Sequence, residues 1–180
     1  MKAIILAGGR GKRLRPITDK IPKPLIPINN KPLIERTIQY LKKYGITEII
    51  ISSGYKSNLI EKFLRKKENF GCNIIFSIEK TPLGTGGAIK KALKFVDEES
   101  FVVLNGDIVT NIDLKKILKK PNTIAANELK TKFGTMDIRN NKILKFNEKK
   151  DVSDVWMNPG IYHLSKNIEK MIPKKGSLEG

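Results

Sequence analysis

The chain has 180 residues, 39% of them hydrophobic, enough to bury one core, so residues 1–180 read as a single domain. No apolar run approaches a membrane span, Met1-Lys2 leads straight into an apolar stretch without a signal-peptide pattern, and a lone cysteine, Cys72, excludes an internal disulfide and argues against a zinc site; the expectation is a cytoplasmic protein with no membrane partner. A formal charge of +17 favours anionic partners, yet the lysines fall in scattered doublets such as Lys42-Lys43, Lys90-Lys91 and Lys119-Lys120, a pattern of solvated helix faces rather than a nucleic-acid stripe.

Ala3-Ile4-Ile5-Leu6 is an apolar run of the kind that forms a buried parallel strand, so the glycines after it fall where the strand ends and the chain turns. Open α/β sheets bind ligands at that edge. Gly8, Gly9 and Gly11 let main-chain N–H groups approach an oxyanion, while Arg10, Lys12, Arg13 and Lys23 surround the turn with positive charge, so phosphate is the natural guest. Neither common phosphate loop fits. No register gives Gly, four residues and then Gly-Lys-Ser/Thr, and Leu14 stands at the third glycine of the dinucleotide fingerprint.

Pro32 opens a predicted helix over 33–44 that Gly45 stops, and a second buried strand follows over 46–52. A helix over 58–67 and a strand over 72–78 continue the alternation, which predicts a mostly parallel sheet with helices on both faces. The third strand runs into a second glycine-rich turn, 79–88, opening a helix over 87–95 and presenting backbone groups to something flat or anionic. A fourth strand, 100–104, delivers Asn105-Gly106-Asp107 at the same sheet edge, where a divalent cation could bridge phosphate oxygens. Beyond it come a short helix over 113–119, a strand over 121–126, a hairpin of 133–138 and 143–146 about Asn140-Asn141, and a short helical segment near Ile168. His163 reads as an ordinary strand-end histidine and Trp156 as a packing residue, although Trp156 could cap a pocket.

Leu6-Ala7-Gly8-Gly9-Arg10-Gly11-Lys12-Arg13-Leu14-Arg15-Pro16, followed by Pro22-Lys23-Pro24-Leu25-Ile26-Pro27, resembles the signature of the sugar-1-phosphate nucleotidyltransferases, with Lys12 where the family has Thr. The resemblance covers nearly all of the chain and implies a Rossmann-like nucleotidyltransferase fold, a mostly parallel mixed sheet flanked by helices with a hairpin in its second half. It implies transfer of a nucleotidyl group from an NTP to a sugar 1-phosphate with release of pyrophosphate, and Mg²⁺ as cofactor. By the same resemblance Leu6, Ala7, Gly8, Gly9, Gly11, Lys12, Arg13, Lys23, Glu79, Pro82, Gly84, Thr85 and Gly106 would bind the nucleotide. Arg13, Lys23 and Asp107 would carry catalysis, with Asp107 the metal ligand. Gly134, Glu148, Lys149, Asn158 and Gly160 would bind the sugar phosphate, although Lys150 and Pro159 replace the family's Pro and Ala beside them.

A carboxylate accepts hydrogen bonds and donates none, so Glu79 would suit guanine N1–H and N2–H better than uracil or thymine, unless it faces solvent. The segment from Pro82 to Lys90 looks most like guanylyltransferases acting on mannose or heptose 1-phosphates. Uridylyl- and thymidylyltransferases for glucose-type sugars, and an inactive nucleotide-sugar-binding regulatory subunit, stay open, as does homo-oligomerisation. Family catalytic domains continue past this point to a second metal-binding Asp that no residue here matches, so a truncated or reduced form is expected.

Overall fold

Runs of β-branched residues build the middle of this molecule, because a strand covered on both faces needs apolar side chains at every position. In the computed structural model, which describes residues 1–129, 133–147 and 155–179, the strands are β1 (Lys2–Ala7), β2 (Pro27–Ile28), β3 (Lys31–Pro32), β4 (Glu48–Ser53), β5 (Asn73–Ile78), β6 (Ser100–Asn105), β7 (Thr123–Ile124), β8 (Asn127–Glu128), β9 (Thr135–Arg139), β10 (Lys142–Asn147), β11 (Trp156–Met157) and β12 (Ile161–Ser165). The α-helices are α1 (Ile17–Lys20), α2 (Leu33–Lys43), α3 (Ser57–Lys66), α4 (Gly84–Ala92) and α5 (Leu114–Leu118).

A six-stranded sheet has the order β5-β4-β1-β6-β12-β7. Its first four strands are parallel, and β12 and β7 complete a mixed edge, β12 running antiparallel to both β6 and β7. This is the mixed, mostly parallel sheet expected from the alternation of elements. Alternate residues divide between two cores: Ile5, Ile49, Ile51, Val102 and Leu104 pack with residues of α2, α3 and α5. Ile4, Ile50, Phe101 and Val103 face Ile89, Ala92 and Leu93 on the other side. Each fully buried Ile or Leu contributes roughly 1.5–3 kcal/mol relative to exposure, so the two clusters fix strand register and helix placement together.

The helices obey the same rule. In α2, Leu33, Ile34, Thr37, Ile38 and Leu41 are buried at helical spacing, and Gly45, at φ 75°, ends the run in a conformation that favours glycine.

Three local differences from the sequence expectations have physical causes. The helix placed at 87–95 starts earlier, at Gly84, and tightens into a 3₁₀ turn at Leu93–Phe95. The strand placed at 121–126 shrinks to Thr123–Ile124, which pair with His163 and Tyr162 of β12, with the Ala125 N–H adding one further bond to the Ile161 carbonyl at 3.0 Å. Residues 161–165 form a full strand that inserts beside β6, burying His163 with Nδ1 3.0 Å from the Lys120 carbonyl and Nε2 3.0 Å from Ser100 Oγ. A carbonyl only accepts, so Nδ1 carries the proton and the ring is a structural tie.

Several lysines of the basic excess work inside the fold rather than only in solvent. Lys90 Nζ donates to the Ile172 carbonyl at 2.8 Å and Lys166 Nζ to the Val96 carbonyl at 2.6 Å, while Lys42 and Lys91 reach the carbonyls of Phe70 and Ile78. Among the described residues no helix is long and apolar enough to cross a membrane.

Candidate active site

Four parallel strands end on one side of the sheet, at Ala7, Ser53, Ile78 and Asn105, and their C-terminal ends open into a cleft of about 730 Å³. Leu6, Ala7, Gly8, Gly9, Gly11, Lys12, Arg13, Lys23, Glu79, Pro82, Gly84, Thr85, Gly106 and Asp107 all line it. Segments up to a hundred positions apart in sequence therefore converge because the parallel topology brings every strand end to one edge. Leu14, Pro24, Ser52, Ala88 and Asn105 also line the cleft. Ser52 was legible only as a strand residue, since nothing local in sequence shows which side chain near a strand's end turns into a cleft, whereas Asn105 fell in the turn expected at this edge.

The first glycine-rich loop is held from below. Gly11 sits at φ 61°, and a Cβ there would come 2.9 Å from Thr18 Cγ2 and 3.3 Å from Lys23 Cβ, so a side chain at 11 is both strained and crowded. Thr18, buried, donates from Oγ1 to the Gly11 carbonyl at 3.0 Å, and the Tyr55 hydroxyl donates to the Thr18 carbonyl at 2.9 Å. Lys56 Nζ then ties down the Asp19 and Lys20 carbonyls at 2.7 and 3.0 Å. The short turn between β4 and α3 thus props the loop, leaving Lys12 and Arg13 exposed above it.

Across the cleft, Lys23 Nζ and Asp107 Oδ2 form a direct ion pair, each side chain about one-third exposed (36% and 33%). The two groups expected to handle phosphate and metal are therefore adjacent. No cluster of three or more His, Cys, Asp or Glu side chains that could hold a metal ion exists among the described residues, so a cation beside Asp107 would draw on no more than two such side chains. That suits Mg²⁺, which keeps several waters and binds through one or two carboxylates plus substrate phosphates.

Glu79 is half-buried and turned into the cleft wall. Its Oε1 accepts from Ser52 Oγ at 3.2 Å and its Oε2 from the Leu83 N–H at 2.9 Å, so the carboxylate closes its own loop at the cleft wall. The second glycine-rich turn differs more from expectation. The amides of Gly86 and Gly87 donate to the Gly176 carbonyl at 3.0 and 3.5 Å, and the Gly176 N–H returns a bond to the Leu83 carbonyl at 2.8 Å. A Cβ on Gly87 would lie 2.6 Å from the Lys174 carbonyl, so part of the glycine content of this turn makes room for the chain's own 173–179 segment. The sequence signal was the pattern Gly-Thr-Gly-Gly, which does not reveal whether its close neighbour is a ligand or a main chain.

The sugar-side residues divide. Gly134, Asn158 and Gly160 do not line this cleft, and Glu148 and Lys149 lie outside the described residues. Gly160 stands directly behind the cleft wall, its carbonyl accepting from the Asn105 N–H at 3.0 Å. Asn158 Oδ1 accepts from the Gly160 N–H at 2.8 Å and its Nδ2 donates to the Tyr162 hydroxyl at 2.8 Å. Burial, followed by the neighbouring Glu179 carboxylate, pushes the Tyr162 phenol up from 10.0 to about 12. Hydrogen bonds from Ser177 and Tyr162 hold the Glu179 carboxyl below its usual range.

A parallel α/β sheet whose strand ends carry a cationic glycine loop and an opposed carboxylate defines a protein built to hold a phosphorylated ligand. The model of the nucleotidyl transferase family matches residues 2–179, and the chain belongs to that family. It is 42% identical over 176 residues, 93% of this chain and 76% of the relative, to D-glycero-alpha-D-manno-heptose 1-phosphate guanylyltransferase of Aneurinibacillus thermoaerophilus. It is 44% identical over 173 residues, 93% of this chain and 77% of the relative, to the protein of the same name from Campylobacter jejuni subsp. jejuni serotype O:2. The crystal structure of HddC from Yersinia pseudotuberculosis complexed with GMP-PN superposes with a TM-score of 0.78 at 36% identity, covering 99% of this chain and 83% of that one.

Proposed function

We propose that this chain transfers a guanylyl group from GTP to a manno-configured sugar 1-phosphate, a mannose or heptose 1-phosphate, giving a GDP-sugar and pyrophosphate. The observation that carries the reading is the convergence of the cationic glycine loop, the Glu79 turn and the Lys23–Asp107 pair on one cleft, in a chain similar over most of its length to guanylyltransferases. In the reaction an oxygen of the sugar phosphate forms a bond to the α-phosphorus as the bond from that phosphorus to the bridging oxygen of pyrophosphate breaks. The attacking oxygen is already ionised, so no side-chain base is needed and catalysis is positioning plus charge neutralisation.

Arg13 would bind the β- and γ-phosphates and Lys23 the oxygens near the reacting centre, while the amides of the Gly8–Gly11 turn cradle the rest. Asp107 would hold Mg²⁺, whose charge would offset that of the phosphate oxygens. Glu79 already accepts two hydrogen bonds, but a carboxylate has about four lone-pair sites, so two remain for guanine N1–H and N2–H. Both cores share one sheet, which supports reading residues 1–180 as one domain.

The test is pyrophosphate release with Mg²⁺, each NTP in turn and a panel of sugar 1-phosphates. Release with GTP and mannose or manno-heptose 1-phosphate is expected. Release confined to UTP or dTTP with glucose 1-phosphate would overturn the base and sugar assignment, and GTP binding without release would make the chain a binding subunit.

A further inference from the structure

The segment 173–179 crosses the start of α4 and then places one carboxylate between the two sides of the site. Glu179 Oε2 accepts from Thr85 Oγ1 at 3.2 Å and from Ser177 Oγ at 2.6 Å, while its Oε1 accepts from the Tyr162 hydroxyl at 2.6 Å. Thr85 in turn accepts the Leu178 N–H at 2.8 Å and lines the cleft on the nucleotide side. Tyr162 accepts from Asn158, whose other amide atom fixes Gly160 against Asn105. Two arms therefore converge on the Glu179 carboxylate, Asn158 through Tyr162 from one side and Thr85 from the other, and each ends on an acceptor oxygen.

We propose that Glu179 is a positioning residue that ties the Gly84–Gly87 turn on the nucleotide side to the Asn158–Gly160 segment on the sugar side, setting their separation for phosphate attack. The two segments come from different strand connections, and this link joins them directly at the surface, beyond the core they share. A carboxylate with two oxygens can accept from both directions at once, Oε2 from Thr85 and Oε1 from Tyr162. The held Tyr162 phenol is the rigid member, since its ring is buried against the second core and its hydroxyl alone emerges to meet Glu179. The kinetic consequence rests on the guanylyl-transfer reading; the mechanical one does not.

The test uses the full chain and three variants, Glu179→Ala, Tyr162→Phe and Glu179→Gln, each with its melting temperature recorded. Hydrogen exchange in Glu179→Ala is expected to quicken by about tenfold in peptides spanning both 84–88 and 158–161, with β1 and β4 unchanged. Tyr162→Phe should do so at 158–161, and Glu179→Gln, which keeps one acceptor oxygen and replaces the other with a donor, should retain only part of the protection. In turnover with GTP and mannose 1-phosphate, Tyr162→Phe should raise the KM of the sugar phosphate about fivefold and leave that of GTP within about twofold. Faster exchange confined to 174–179, or unchanged exchange in both segments, would overturn the proposal. If the unmodified chain releases no pyrophosphate with any pair, the reaction reading fails, and the exchange result alone still decides whether Glu179 links the two segments.

Discussion

The nucleotide side and the hairpin side of this molecule are built on different principles. On the first, β1, β4 and β6 are covered on both faces, and Ile4, Ile5, Ile49 and Ile50 alternate between two closed clusters. On the second, β9 and β10 hydrogen-bond to each other and, among the described residues, to no further strand, leaving Ile138, Leu144 and Phe146 61%, 64% and 70% exposed. Their turn is set by local chemistry instead, with Asn140 and Asn141 at φ 49° and 59°, the left-handed pair that a tight hairpin requires. Packing dictates where the nucleotide-side residues lie, whereas pairing and turn type dictate only the local shape of the hairpin.

That contrast can be broken first at its functional end. Asp107→Ala or Lys23→Ala should lower kcat by about 10²–10³, the loss typical of removing one preorganised charge from a transition state, measured as pyrophosphate release. Because the Lys23–Asp107 pair is about one-third exposed, the same Lys23→Ala change should alter unfolding free energy by no more than about 1 kcal/mol, so activity and stability should separate at this site.

Next comes the core. Ile50→Ala, at a position 1% exposed, should cost about 2–5 kcal/mol in urea unfolding. Gly87→Ala should cost about 1–3 kcal/mol, because the new Cβ would press on the Lys174 carbonyl, and should free the 173–179 segment to proteolysis. By contrast Leu144→Asn, on the exposed hairpin, should stay within about 0.5 kcal/mol. A Leu144 effect as large as that of Ile50 would erase the distinction between the two regions.

The smallest effect is in pH. Glu179 has a depressed pKa in the folded chain, so its contribution is present above its ordinary value of 4.5 and fades as pH falls through the lower folded value. Tyr162 has a raised one, so its contribution is full below 10.0 and is lost as pH climbs towards about 12. Melting temperature against pH should therefore sag at both ends, and Glu179→Gln should flatten the acid side.

Most of the nucleotide side was legible in the sequence because apolar periodicity and glycine placement are themselves the causes of that structure. The run Ala3-Ile4-Ile5-Leu6 and the glycines after it set both the strand and the mouth of the cleft. What escaped was non-local. Nothing near Gly86 reveals that Gly176 comes to meet its amide, and nothing near Glu79 reveals that Ser52, from another strand, turns its carboxylate inward. Strand β12 was legible only in part, His163 being read at a strand end where it stands in mid-strand, since the extent of Ile161–Ser165 is set by its pairing along β6. On the sugar side Asn158 engages Gly160 and Tyr162, contacts that a motif match cannot show.

The prop beneath the first loop changes where entropy is lost. Had residues 11–20 been loose, each would cost roughly 1–2 kcal/mol to order when a nucleotide arrived. Thr18, Tyr55 and Lys56 fix that stretch through its own carbonyls while the chain folds, so the ordering is complete beforehand. A triphosphate bound there would meet a receptor already in shape, and its charge could act wholly on affinity and reaction rather than on gathering the loop.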